Sequence, residues 1–193
     1  MANLDLFVEV LANVELAPDS WDQSNWFTGP SLCLDVEKLP EQYQNQDSFY
    51  MAGDELEGMI GLKHTCDTAA CIAGWACLLS GARSRWCAGS DGEKTVFLEA
   101  DNRHMFFQGE VRDVSILACE LLEIYSPCDD EDRDLFHGHN DKSDVYDIGA
   151  NIFLSGDMDR LYELVNERVN KIEEDRRKLS ASLKKSCKAE IPA

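Results

Sequence analysis

Apolar residues recur three and four apart at the start of the chain: Leu4, Phe7, Val8, Leu11 and Val14. That spacing lines one face of a helix. Asn3 stands where an N-cap is needed, and Pro18 stands where the helix must stop. "WDQSNWFTGPS" then reads as a loop punctuated by Gly29-Pro30. "SLCLDVEKL" fits a short strand or a helical turn equally well, and the polar run "PEQYQNQDSFYMAGDELEG" is expected to be irregular.

"AACIAGWACLLSG" has the length and apolar density of a buried helix, capped by Asp67 or Thr68 and closed by Gly81. "KTVFLEADNRHMFFQGE" alternates on either side of Asp101-Asn102, which predicts a β-hairpin turning there. Val111, Val114, Leu117, Ala118, Leu121 and Leu122 form a second amphipathic stripe, which Pro127 stops. An acidic, partly looped segment follows, and then a short helix ending at Gly156. From Asp157 a long helix carries Met158, Leu161, Val165, Val169 and Ile172 on one stripe. The stripe thins to Leu179 and Leu183, where an exposed or frayed helix end is expected.

Four helical stripes against one alternating pair predict a mainly α (α+β) fold: a compact helical domain with a small β-hairpin and a long C-terminal helix. The expected division is an acidic globular domain at 1–156 and a C-terminal helix with a weakly packed tail at 157–193. No internal repeat is visible. The 193 residues, 44% of them hydrophobic, can build one real core.

Charge changes the picture. There are 37 acids against 18 Lys and Arg, a net of −19. Residues 1–62 hold 12 acids and one base, and residues 110–159 hold 14 acids and three bases. Residues 63–109 hold five of each, while 160–193 hold six acids and nine bases. Two acidic blocks thus flank a neutral middle, and a mildly basic tail follows. Such a surface repels nucleic acid and anionic membranes, and it speeds encounter with basic proteins. "MANLDLFVEVLANVELA" lacks the positive n-region of a signal peptide. A cytoplasmic location is therefore expected, with the eight cysteines as thiols.

His64, Cys66, Cys71 and Cys77 lie close together in "KHTCDTAACIAGWACLLSGA". A structural zinc site wants two close pairs of soft ligands, and the second pair is missing here. A reactive Cys71 near a helix start would need a base, and His64, His104, His137 and His139 are the available histidines, none in a diagnostic context. The plainer alternative explains more: the thiols are small hydrophobes among Ala69, Ala70, Ala73, Gly74 and Ala76. His137 and His139, with Asp134, Asp141 and Asp144, could hold a divalent ion, but an acidic surface loop is preferred. "DDEDRD" lacks the Gly and terminal Glu of a calcium loop. No cofactor is expected.

The run Cys66 to Ala76, "CDTAACIAGWA", resembles a loop-to-helix signature, C-G-T-x-A-C-[IL]-A-G-W-A, of uncharacterised small proteins of bacteriophages and bacteria. Asp67 stands where those proteins have glycine, and the flanks "WDQSNW" and "DVSILACELLEI" look similar too. The resemblance implies a small cytosolic accessory protein, often phage-encoded, and it transfers no catalytic residue.

The leading expectation is a non-enzymatic interaction protein whose acids face a basic surface, such as that of a host nucleic-acid-binding protein. Its most concrete form is DNA mimicry with anti-restriction or anti-CRISPR inhibition, because carboxylates can replace phosphates in pairing with Arg and Lys. The residues assigned to that surface are Glu120, Glu123, Asp129, Asp130, Glu131, Asp132 and Asp134. The alternatives are a cysteine-based enzyme or zinc protein centred on Cys66 and Cys71, and an assembly protein forming a homodimer through its C-terminal helix.

Overall fold

A computed structural model describes residues 2–23, 32–44, 46, 48–60, 70–90, 95–124, 135–136 and 140–189. In it the stretch expected to turn at Asp101-Asn102 continues as one strand, β4 (Thr95–Phe107). The hairpin turn falls later, at Gln108 (φ 51°) and Gly109 (φ 86°). Two successive left-handed residues match the twist of the strands they join. They lead into β5 (Glu110–Asp113), with Phe107 paired to Glu110.

Three further strands complete the sheet: β1 (Leu32–Asp35), β2 (Ser48–Ala52) and β3 (Arg83–Ser90). The order is β1-β4-β3-β2, all antiparallel, with β5 on the C-terminal half of β4. The expectation of a mainly α fold with one small hairpin is therefore wrong. This is an α+β fold built on a five-stranded antiparallel sheet. The missed strands are short or weakly patterned. In β3, "RSRWCAGS", small residues dilute the β-branched and aromatic signal, and pairing on both sides makes the strand instead. The supposedly irregular segment 40–58 holds β2, the single-turn α2 (Glu41–Gln44) and the start of α3 (Gly53–Ile60). "SLCLDVEKL" is both things at once, β1 followed by a 3-10 turn over Val36–Lys38.

The inner sheet face buries Met51, Trp86, Leu98 and Met105 completely. Helices α1 (Leu4–Leu16), α4 (Ile72–Leu79), α5 (Val114–Leu122) and α6 (Lys142–Leu154) share one core with it. Asn3 caps α1 as expected, its Oδ1 accepting from Leu6 N at 3.1 Å. Its Nδ2 also donates to Leu121 O at 3.0 Å, so one side chain serves the start of α1 and the end of α5. Val111 does not join the α5 stripe; it lies exposed on β5. Asp113 starts α5 instead, its Oδ1 accepting from the backbone N–H of Ser115 at 3.0 Å.

Ser155 and Gly156 adopt left-handed conformations and reverse the chain into α7 (Met158–Ala189). This helix is continuous and about 48 Å long. Leu161 and Val165 are buried against the domain, whereas Leu179 and Leu183 are 63% and 58% exposed. Among the described residues no helix is long and apolar enough to cross a membrane.

Candidate interaction surface

The sequence-assigned acids divide. Asp129, Asp130, Glu131, Asp132 and Asp134 lie outside the described residues. Glu123 is the exposed, left-handed C-cap residue of α5. Glu120 is exposed too, but both its carboxylate oxygens accept from Arg112 Nη2 at 2.8 Å. Much of its charge is thus neutralised within the chain.

Glu120 is one case of a general pattern. Among Lys and Arg residues with described side chains, all but Lys171 and Arg176 lie within ion-pair distance of an Asp or Glu. Meanwhile Asp5, Asp19, Glu37, Glu41, Asp147 and Asp159 are exposed and meet no cation among the described residues. These uncompensated carboxylates add negative potential to the described surface.

Asp141 and Asp144 serve a helix. Asp141 Oδ1 accepts from Asp144 N, and Asp144 Oδ2 accepts from Asp141 N, each at 3.0 Å. This reciprocal pair caps α6. His137 and His139 lie outside the described residues, among which no group of three His, Cys, Asp or Glu side chains is placed to hold a metal ion.

His64, Cys66, Asp67 and Thr68 also lie outside the described residues. Cys71 is the N-cap residue of α4 and is buried. Burial pushes its thiol up to about 11, outweighing the pull of the Gly74 and Ala73 backbone amides at the helix start. Cys77 is raised as well, mainly by burial, and its Sγ donates to Val114 O at 3.6 Å. Both behave as core residues. The first free donor of α4, Ile72 N, is met from a distance: Gln23 Oε1 accepts from it at 3.3 Å and from Trp21 Nε1 at 3.1 Å. Gln23 Nε2 donates to Leu135 O at 2.9 Å, making this buried amide a hub that nothing in the local sequence announces.

At pH 8 a thiol near 11 is ionised only about one part in a thousand. Alkylation of the native protein should therefore modify exposed Cys33 faster than Cys71 or Cys77 by about a hundredfold or more. Peptide mapping after timed labelling tests this, and equal rates at Cys71 and Cys33 would show that the core assignment is wrong.

The outer sheet face carries a charged cluster. Between the pairs Ser84↔Met105 and Trp86↔Ala100, residues 101–104 of β4 bulge opposite Arg85. Asp101 Oδ1 accepts from the backbone N–H of Arg103 at 3.0 Å and of His104 at 3.1 Å. Its Oδ2 accepts from Arg85 Nη1 at 2.9 Å and lies 3.4 Å from His104 Nδ1. The Arg85 guanidinium stacks 3.5 Å from the centroid of the Tyr50 ring, which is 54% exposed. The Arg85 and Asp101 side chains are only 13% and 11% exposed. Neighbouring Cys87 is raised, first by desolvation and then by the Asp101 charge, which disfavours its thiolate. The cluster is suited to holding the bulge and Tyr50 in place. No family model, curated protein or solved structure matches the chain.

Proposed function

We propose that the protein is a non-enzymatic interaction module whose acidic surface docks on a basic protein surface. The kind presented by nucleic-acid-binding proteins fits best, with carboxylates standing where phosphates would bind. One observation carries this: nearly every described cation is already engaged by a carboxylate of the same chain, which leaves exposed acids without counter-charge. A surface of that kind steers partners of opposite charge and excludes DNA and RNA themselves.

The test is capture of basic proteins from lysate at roughly 50 and 200 mM salt, with duplex DNA as competitor. The wild type is compared with a variant carrying Asp129→Asn, Asp130→Asn, Glu131→Gln and Asp132→Asn. Binding should fall about tenfold or more with salt and with neutralisation, and DNA should compete. Capture that is indifferent to salt, charge and DNA would reduce the acids to a solubility feature.

A further inference from the structure

The end of α7 carries charge opposite to the rest of the molecule. From Arg176 to Lys188 there are six cations and no acid. Taking these six from the net −19 leaves −25 on the remainder. On the same segment Leu179 and Leu183, one helical turn apart, are the most exposed large hydrophobics among the described residues. They continue the stripe of Leu161 and Val165 beyond the point where the domain covers it.

A complementary site lies farther back on the same helix. A groove of about 410 Å³ opens between α1 and the first half of α7. Leu4, Val8 and Leu164 make its apolar lining. Asp5, Glu9, Glu167, Arg168 and Lys171 make its polar edge. Arg168 is tied to Glu9, so its charge is spent, while Asp5 and Glu167 pair with no cation among the described residues. Lys171 is the one opposing charge left at that edge.

The tail cannot reach its own groove. Leu183 lies 19 residues beyond Leu164 on one unbroken helix, a separation of about 28 Å. We propose that the occupant is the tail of a second copy of this chain. Two α7 helices run antiparallel about a two-fold axis near Glu174, each placing Leu179 and Leu183 in the other's groove. The axis follows from the sequence spacing, since residue 174 lies midway between the groove segment 164–171 and the leucine pair. An isologous contact of this kind closes at two copies.

The acids brought together at the axis are partly compensated within each helix, two cations standing against three carboxylates. Glu174 lies 2.7 Å from Lys178, Asp175 lies 3.9 Å from Lys178, and Glu173 lies 3.6 Å from Arg177. A lipid or nucleic-acid surface is a poorer occupant. Either would engage the tail cations but leave the acidic edge of the groove, Asp5 and Glu167, unmatched. Two leucines also give an amphipathic helix little purchase on a bilayer.

Sedimentation velocity on the full chain at low salt, up to about 100 μM, is the direct test. Wild type should form a dimer that weakens as salt rises. The tail variant Leu179→Asp with Leu183→Asp should be monomeric. The groove variant Asp5→Lys with Glu167→Lys should weaken the dimer by at least about tenfold. All four positions are exposed, so both variants should keep the native circular dichroism. Mixed one to one, the variants should regain a heterodimer, because the pair retains one good tail and one good groove. A wild type monomeric throughout overturns the proposal, as does a tail variant that still dimerises. A groove variant that dimerises as tightly as wild type does so too, since it would point to parallel tails pairing leucine to leucine.

Discussion

Replacing Asp101 with alanine should lower the unfolding free energy by about 3–5 kcal/mol, measured by urea denaturation. The carboxylate is the only acid within ion-pair distance of Arg85 among the described residues, and both side chains are largely withdrawn from solvent. Removing it leaves a guanidinium uncompensated in a poorly solvated site, where the Arg85 Nε is already buried without a hydrogen-bond partner. Asp101 also satisfies the N–H groups of Arg103 and His104, so the bulge loses its internal support in the same step. Asp101→Asn should cost less, because an amide oxygen can still accept from the backbone. Replacing both partners, Arg85→Met with Asp101→Leu, should recover only the share of the loss due to the stranded guanidinium, since the Arg103 and His104 N–H groups still lack their acceptor. A loss below about 1 kcal/mol in the alanine variant would mean that water reaches the pair as freely as an exposed one.

That cluster also shows what the sequence could and could not convey. Asp101-Asn102 does not close the expected hairpin; the backbone departs from a regular strand there because Asp accepts from amides two and three residues on. Whether such chemistry closes a hairpin or bulges a longer strand depends on what lies alongside. Here β3 pairs with β4 on both sides of the bulge, a partnership with no local signature. The helices were easier to read because their information is local. Asn3 and the Leu4–Val14 stripe define α1, and Gly156 marks the end of α6. The start of α4 was hidden, because its donor is met by Gln23, 49 positions away. Composition disclosed the total charge. The pairing of Glu15 with Lys142, or of Glu9 with Arg168, brings together residues more than a hundred positions apart and belongs to the folded chain alone. Hence the net acidity was legible, and the identity of the uncompensated acids was not.

A coupled pair in the helical layer should show the other large effect. Phe7 is fully buried on α1 and stacks on Phe153 of α6, with ring centroids 4.5 Å apart. Its ring approaches α6 so closely at Gly149 that a Cβ there would collide with Phe7 Cε1 and Cζ. Phe7→Ala should therefore cost about 3–5 kcal/mol through lost burial and the cavity left behind. Gly149→Ala should cost about 1–3 kcal/mol from overpacking, even though alanine is better than glycine in a helix by about 1 kcal/mol. The two costs should not add. Once the ring is gone, the new methyl group occupies vacated space, and Gly149→Ala in the Phe7→Ala background should be neutral or stabilising. A double-mutant cycle by urea unfolding should return a coupling of at least about 1 kcal/mol in that direction. Strict additivity would show that the two helices can separate at this point without loss, and that the close approach of α1 to α6 does not hold the layer together.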